Sequence, residues 1–347
     1  YTSSSKAVLN CGQDSTFAGA VSSGGNTDAN GIGDFKYAVP SGYKAICSAN
    51  LPDPTILLPN KHFDTFLYSA TGNAMSFSGL NFQPDWIWQK RRDNVGSSHF
   101  HYLFDAVRGG RLGLQSNTTG AEFTGPDPNI TFTSNGYDMA ASTGGQGNGS
   151  GGSYVSWNWN AGGSTVTNND GSISSQVRAN TTSGFSIVSF TPTAATTAVT
   201  IGHGLGVAPN VVIVKSRGST ANWDVLHMSL GSSYKLYLNG TNAQISSAAW
   251  GSTDPTSSVF TFNPGNQNNN AHIAYCFSEV AGYSKFGSYT GNGSTDGPFV
   301  YTGFRPAFLI IKRTSGVEQW AISDNKRAGM SMRTRGLKAN TIRRRLS

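Results

Sequence analysis

The polar side chains that could support catalysis are scattered along the chain, and no spacing groups them. His99 and His101 lie two residues apart, which would place both on one face of a strand as a pair of metal ligands. No third ligand lies near them in the sequence, and a metal site needs at least three. The carboxylates that could pair as in a glycosidase are widely separated: Asp64, Asp85, Asp105, Asp138 and Asp224. We therefore predict no catalytic residue, no metal site, no cofactor and a protein that is not an enzyme.

Sugar binding is the chemistry that the tryptophans could support, because indole rings stack on sugar faces. Trp86 and Trp88 are two residues apart, so both would project from one face of a strand, where core packing is the simpler interpretation. Trp250 lies in the polar, loop-like sequence SSAAWGST and is expected to be more exposed. We take Trp250, Trp223 and Trp88 as the candidate glycan-binding residues.

The sequence elements that would position these residues occur three times. The phrase reads GLNFQPDWIWQKR at 79–91, GLGVAPNVVIVKSR at 204–217 and TGFRPAFLIIKR at 302–313. Its proline recurs at Pro84, Pro209 and Pro306, at intervals of 125 and 97 residues. Its lysine recurs at Lys90, Lys215 and Lys312, at the same two intervals. Two anchors with equal offsets identify an internal repeat, and repeats decide architecture.

Each copy extends well beyond the phrase. An aromatic, strand-like start lies about twenty residues before each proline, at 62–66, 184–188 and 285–289. A second alternating run follows each lysine, at 101–105, 223–227 and 320–324. Copies 1 and 2 close on 154–159 and 272–277, whereas copy 3 turns basic after Asp324 and does not reach such a close. The close of copy 2 has Tyr275 and Phe277 where copy 1 has tryptophans, which also favours core packing.

The repeats predict an all-β fold of tandem β-sandwich or jelly-roll-like units, the third of them incomplete. Apolar and polar residues alternate over five to seven positions, as in half-buried strands. WIW and VVIV are continuous apolar runs, as in strands covered on both faces, and a proline suits a strand entry. Repeats at intervals of 125 and 97 residues have the size of separate β-domains. The predicted boundaries are 1–55, 56–165, 166–282 and 283–347.

Charge and cysteine usage limit the partners and the compartment. Eight of the 25 basic residues lie from Lys326 onward with no acidic residue, which leaves 17 basic against 18 acidic residues in the body. We interpret this tail as a chain terminus rather than a nucleic-acid reader, since no binding motif accompanies it. No apolar stretch reaches 18 residues, so no membrane helix is expected. The three cysteines, of which Cys11 and Cys47 remain a candidate disulfide, do not staple the fold, which favours assembly in a reducing cytoplasm.

Several segments resemble phage proteins. The stretch 34–52, DFKYAVPSGYKAICSANLP, resembles the closing part of SPRY-like β-sandwich domains. From about residue 60 the phrases FQPDWIWQKR, YVSWNWNAGG and IGHGLGVAPNVVIVKSR resemble a family of tail or fibre-like virion proteins of marine and cyanobacterial phages. The resemblance implies a virion component and supplies no biochemical activity.

These observations together predict a non-enzymatic virion structural protein, a tail fibre, tail or capsid-decoration subunit assembled in the cytoplasm of a bacterial host. Its work would be assembly and host-surface attachment. A carbohydrate-binding adhesin is the alternative, followed by a polysaccharide depolymerase. The expected partners are other copies of the chain, with a trimer favoured, other virion proteins and a host surface glycan. A neighbouring chain would complete the strand edges of the third repeat.

Overall fold

The computed structural model describes residues 14–50, 54–93, 99–124, 129–142, 147–193, 197–327 and 336–341. The chain divides into two compact units, Tyr1–Pro54 and Thr55–Ser347. The described residues form antiparallel strands and three 3₁₀ helices, Ser48–Asn50, Pro59–Lys61 and Gly265–Gln267. The prediction of an all-β, sandwich-like protein is confirmed.

The first unit consists of turns held by carboxylates. Asp28 accepts hydrogen bonds from the backbone N–H groups of Asn30, Ile32 and Ala45 at 2.9–3.0 Å. A single bridge joins Asn26 to Phe35. Cys47 forms no disulfide with a described residue, and Cys11, its candidate partner, lies outside the described residues.

Each sheet of the second unit takes its strands from one sequence repeat. Those of repeat 1 are β1 (Phe63–Ser69), β2 (Met75–Ser78), β3 (Trp86–Arg91), β4 (His101–Asp105), β5 (Leu112–Gly113), β6 (Phe123–Thr124), β7 (Ile130–Thr133), β8 (Gly136–Met139) and β9 (Ser153–Trp159). The main sheet has the order β1-β9-β3-β4, so the strand that closes the repeat lies in its interior. A smaller sheet, β2-β8-β7, and the pair β5-β6 complete the repeat.

Repeats 2 and 3 follow the same plan to different extents. The strands of repeat 2 are β10 (Val166–Asn168), β11 (Ser175–Asn180), β12 (Phe185–Phe190), β13 (Val199–Gly202), β14 (Val211–Ser216), β15 (Asp224–His227), β16 (Tyr234–Tyr237), β17 (Ile245–Ser246), β18 (Val259–Phe262) and β19 (His272–Phe277). They form the sheet β10-β11-β12-β19-β14-β15-β16-β17 and the pair β13-β18. Repeat 3 contributes β20 (Phe308–Ile311), β21 (Ala321–Asp324) and β22 (Leu337–Lys338) in one sheet.

The main sheets of repeats 1 and 2 are buried on both faces, which explains their continuous apolar runs. In β3, Trp86 and Trp88 enter one core while Ile87, between them, enters another. In β14, Ile213 and Val214 divide in the same way. Alternate side chains leave a strand on opposite faces, so each run serves two cores.

The core on the inner faces is common to all three repeats. Its buried members include Trp86 and Trp157 of repeat 1, Tyr275 of repeat 2 and Ile322 of repeat 3. The outer face of each of the two complete main sheets packs instead in a core confined to its own repeat. The length of the repeats predicts separate domains, but here the inner face of each sheet is covered by side chains of the other repeats. The three repeats therefore form one unit.

The third repeat has fewer strands than its counterparts in the described chain. Residues 285–289, predicted as its strand-like start, form no strand. The equivalent strands β1 and β12 pair with the closing strands β9 and β19. No described strand holds that place beside β20, so residues 285–289 have no such strand to pair with.

Candidate functional site

A cyclic set of hydrogen bonds joins the three repeats, and we call it the repeat ring. In each repeat, the first residue of the second alternating run donates a ring N–H to a backbone carbonyl of another repeat. The bonds run from Trp223 Nε1 to Gln115 at 3.0 Å, from Trp320 Nε1 to Tyr237 at 2.9 Å, and from His101 Nε2 to Lys338 at 2.9 Å. Repeat 2 thus bonds to repeat 1, repeat 3 to repeat 2, and repeat 1 to repeat 3.

The donors of the repeat ring are held by asparagines at equivalent positions. The backbone N–H groups of the three donors bond to the side-chain oxygens of Asn117 at 2.8 Å, Asn239 at 2.8 Å and Asn340 at 3.0 Å. The sequence signal is a leucine three residues before each asparagine, Leu114, Leu236 and Leu337. In the third copy this segment lies inside the basic tail.

The lysine of the repeated phrase also connects repeats. Lys215 Nζ donates to the carbonyl of Thr119 at 3.2 Å, and Lys312 Nζ donates to the carbonyl of Thr241 at 3.2 Å. Burial lowers the pKa of Lys215 to about 8. Carbonyl acceptors satisfy the buried ammonium group without a carboxylate.

A buried ionic arrangement fixes repeat 2 against repeat 1. The carboxylate of Asp105 accepts hydrogen bonds from Arg108 Nε at 2.6 Å and from the Arg108 backbone N–H at 2.9 Å. It also accepts one from the Tyr275 hydroxyl of repeat 2 at 2.8 Å. Arg108 reaches Glu122 at 2.9 Å, and Glu122 is paired in turn with Arg217 of repeat 2. Burial by itself would lower the pKa of the Arg108 guanidinium. The combined effect of Asp105, Tyr275 and Glu122 is larger and opposite, so the pKa is raised. We use the word latch for such a set of three groups: an aspartate, the arginine three residues later, and an aromatic donor from another repeat.

A second latch fixes repeat 1 against repeat 3. Asp324 accepts hydrogen bonds from the backbone N–H and the Nε of Arg327, and from Trp157 Nε1 of repeat 1 at 2.9 Å. At the equivalent positions of repeat 2 the sequence has His227 and Leu230, so no latch is formed there. The D-x-x-R spacing in DAVR and DNKR is the signal that sequence reasoning missed.

The three candidate glycan-binding tryptophans are buried, which corrects the expectation that they present surfaces to sugar. Trp250 and Trp223 are 0% exposed and Trp88 is 2% exposed. Trp250 packs in the outer core of repeat 2, with its ring 5.6 Å from that of Phe262. Trp88 donates to His101 Nδ1 at 2.8 Å. The polar sequence around Trp250 suggested a loop, but the indole packs against the strands of the outer core. Core packing of Trp86 and Trp88 agrees with the simpler interpretation.

Several of the polar residues that suggested catalysis or metal binding bond to other side chains or to the backbone. Both ring nitrogens of His101 are used, one by Trp88 and one by the repeat ring. Asp85 is paired with Arg178 at 2.5 Å, and Asp224 with Lys235 at 2.9 Å. Within the part of the chain that the structure describes, no three His, Cys, Asp or Glu side chains are grouped as metal ligands.

The decrease in unfolding free energy at acidic pH should be set by buried histidines. Burial lowers the pKa of His101, His203, His227 and His272, the last to about 4. These folded values lie below the unfolded value of about 6.5, so the unfolded chain binds protons first as the pH falls. Their contribution is fully present above pH 6.5 and declines below it, by about 1.4 kcal/mol per pH unit for each histidine that stays neutral.

Denaturant titrations at pH 7.5, 6.5, 5.5 and 4.5 measure this decrease in stability. Asp85 acts in the opposite direction, because burial raises the pKa of its carboxyl to about 6. We expect the free energy of unfolding to fall steadily from pH 6.5 to pH 4.5, and less steeply in His272→Asn. A profile that is flat over this range would contradict the neutral, buried state of these imidazoles.

A single hydrogen bond of the repeat ring can be removed while an aromatic ring is kept. Trp320→Phe leaves an aromatic ring but removes the donor to the Tyr237 carbonyl, and we expect a loss of about 1–3 kcal/mol in unfolding free energy. Trp86→Phe is the matched control, because Trp86 Nε1 has no hydrogen-bond partner among the described residues. Equal losses in both variants would mean that the ring bond contributes nothing beyond packing.

The described part of the basic tail is structural. Lys338 supplies an acceptor of the repeat ring and lies 3.6 Å from Glu318, and Arg327 belongs to a latch. Arg333, Arg335, Arg343, Arg344 and Arg345 lie outside the described residues. No helix found in the described ranges has the length and hydropathy to cross a bilayer.

Comparison with known protein families shows the family to which the chain belongs. No curated protein and no solved structure matches it. A family model with the description "Domain of unknown function (DUF7483)" matches residues 58–346, which include all three repeats, the repeat ring and both latches. The chain therefore belongs to the DUF7483 family.

Proposed function

We propose that the protein is a non-enzymatic structural component of a phage virion, a tail fibre, tail or capsid-decoration subunit that serves assembly and host-surface attachment. The observation that carries the proposal is the cyclic closure of three repeats within one chain. Two buried ion pairs, Asp105–Arg108 and Asp324–Arg327, each accept a hydrogen bond from an aromatic side chain of another repeat. A buried ionic group of this kind specifies one arrangement of parts, which is what an assembly subunit requires.

The virion location rests on the phage resemblance of the sequence, and composition supports it. Only 12% of the residues are charged, and Gly, Asn, Ser and Thr fill the loops. Mass spectrometry of density-purified particles from an induced lysate tests the location. We expect the chain in the particle fraction in a fixed ratio to the major capsid protein. Its recovery only in the particle-free supernatant would overturn the proposal.

The non-enzymatic part is tested separately on the purified chain. We expect no release of reducing sugar from capsular or lipopolysaccharide preparations of the host over hours. Release of sugar that Asp224→Asn or Asp138→Asn abolishes would instead establish a depolymerase.

A carbohydrate-binding adhesin is the second candidate, and a polar cleft in repeat 2 favours it. The cleft has a volume of about 480 Å³. Side chains able to bond sugar hydroxyls line it, namely Asn222, Asp224, Lys235, Asn263, Asn266 and Gln267. Host glycan arrays probed with the wild type and with Asn266→Ala would test this. Binding that the variant retains would exclude the cleft as its site.

A further inference from the structure

The polar cleft of repeat 2 lies where repeat 1 has aromatic packing. In repeat 1 the ring of Phe123 lies 6.2 Å from that of Tyr102 and occupies the space that a side chain at Gly113 would take. Repeat 2 has Asp224 in place of Tyr102, each directly after a donor of the repeat ring. It has Lys235 in place of Gly113, each directly before the leucine that precedes a ring asparagine. Two differences at equivalent positions thus replace an aromatic cluster by an ion pair, and both of its members line the cleft.

The carboxylate of Asp224 retains capacity to accept hydrogen bonds. Lys235 Nζ lies 2.9 Å from Asp224 Oδ1, and the two side chains are only 16% and 19% exposed. Among the described residues, Lys235 is the only hydrogen-bonding partner that reaches this carboxylate. Burial raises the pKa of the Asp224 carboxyl even though Lys235 acts to lower it. A carboxylate can accept about four hydrogen bonds, so ligand groups that donate to Asp224 would be favourable.

Two asparagine side chains supply hydrogen-bond donors to the same cleft. Asn222 Oδ1 accepts a hydrogen bond from Asn239 Nδ2 at 2.8 Å, and Asn263 Oδ1 accepts one from the Gly265 backbone N–H at 3.0 Å. The oxygen of each amide is therefore engaged, and no described group accepts a hydrogen bond from its nitrogen. Both asparagines line the cleft. Donors that are already held by bonds of their own lose little freedom when a ligand binds.

The size, the charge and the apolar wall of the cleft limit the class of ligand. Its volume of about 480 Å³ lies in the range of small-molecule sites. Of the described residues that line it, Asp224 and Lys235 carry the charges, which balance, so an ionic ligand gains no net attraction. The buried residues Ala249 and Pro264 supply an apolar part of the wall. A sugar ring combines neighbouring hydroxyls, which both donate and accept, with apolar C–H groups.

We propose that this cleft binds one uncharged pyranose unit of a host-surface glycan. Neighbouring hydroxyl groups of the sugar donate to the Asp224 carboxylate and accept from the amide nitrogens of Asn222 and Asn263. The proposal rests on the host-attachment role proposed above and names the ligand class and the residues that bind it. It also gives repeat 2 a role that repeat 1 does not share, because Tyr102 and Phe123 pack at the equivalent place.

Saturation-transfer NMR on the whole chain tests the proposal. The probes are the methyl glycosides of glucose, galactose, mannose and N-acetylglucosamine, at concentrations up to about 20 mM, because one sugar unit makes few contacts. We expect saturable binding of at least one of them. Asp224→Asn keeps the shape of the side chain and removes its charge, and should weaken binding about tenfold or more. Asp254→Asn makes the same change at an exposed position outside the cleft and should leave binding within about twofold.

A second variant keeps the test decisive if Asp224→Asn does not fold. Asn222→Asp retains the oxygen that accepts from Asn239 and removes the donor, at an exposed residue, so the fold should persist. We expect it to weaken binding about fivefold or more. Absence of binding by all four glycosides to the wild type, or unchanged binding in the folded variants, would overturn the proposal. Glucuronate that binds as tightly as the best uncharged glycoside would overturn the requirement for an uncharged sugar.

Binding to intact host cells distinguishes failure of the cleft from failure of the proposed function. Wild-type chain that binds cells no better than Asp224→Asn and Asn222→Asp do would leave host attachment standing and reject the cleft as its site. Glycosides that bind the cleft of a chain that is not recovered with particles would leave the sugar site standing and reject the virion role.

Discussion

Replacing Asp105 by alanine is expected to destabilise the protein by about 3–5 kcal/mol. The change leaves the Arg108 guanidinium, whose side chain is 0% exposed, without its closest counter-charge. It also removes the acceptor of the Tyr275 hydroxyl, so the link between repeats 1 and 2 is lost. Denaturant unfolding followed by tryptophan fluorescence measures the effect, because the common core contains most of the tryptophans.

Repeat 2 supplies the design of the control for this variant. It has an uncharged histidine and a leucine where repeat 1 has Asp105 and Arg108, and that position is nevertheless packed. The triple variant Asp105→Leu, Arg108→Leu, Tyr275→Phe removes all three polar groups together, and we expect it to be more stable than Asp105→Ala. Asp254→Ala, at an exposed position, should change stability by no more than about 0.5 kcal/mol. If Asp105→Ala behaves like Asp254→Ala, the latch makes no contribution to stability.

Replacing Trp157 by alanine is expected to cost about 4–5 kcal/mol or more, because two effects combine. The indole is fully buried and contacts both Trp88 and Phe308, at ring distances of 5.9 and 5.7 Å. Its Nε1 also donates to Asp324 of repeat 3. Thermal or chemical unfolding should show a large loss, and proteolysis should cut the region of β20–β22 first, since Trp157 contacts Phe308 of β20 and bonds to Asp324 of β21.

Two conservative variants separate packing from the hydrogen bond. Trp157→Phe retains an aromatic ring and loses the donor, whereas Trp86→Phe makes the same change of shape at an indole that has no partner in the described structure. We expect Trp157→Phe to be the more destabilising of the two by about 1–3 kcal/mol. A difference below about 0.5 kcal/mol would assign the role of Trp157 to packing alone.

Much of the fold was accessible from the sequence because strand periodicity is local. The apolar runs WIW at 86–88 and VVIV at 211–214 lie in strands that are buried on both faces, as their uninterrupted apolar character indicates. The proline before each run lies at the strand entry, where a missing N–H costs little. The same reasoning failed at residues 285–289, because a segment with strand-like sequence still needs a neighbour with which to pair.

The residues of the candidate site were the least accessible, because their partners are distant in the chain. Trp223 bonds to Gln115 and Tyr275 to Asp105, and neither spacing carries a local signature. Trp250 was expected to be exposed from its polar neighbours, yet it is buried by strands of its outer core. The polarity of neighbouring residues does not report which surface a loop covers.

The sequence by itself determined the three repeats, the β class and the main strands, since each follows from periodicity and repetition within short windows. Only the tertiary structure decided that the repeats share one core and close in a cycle through His101, Trp223 and Trp320. The physical reason is that a sheet with two apolar faces must have both of them covered. The sequence shows that both faces are apolar without showing which part of the protein covers them. The inner faces are covered by one another, and this mutual burial makes one protein unit out of three copies of a phrase.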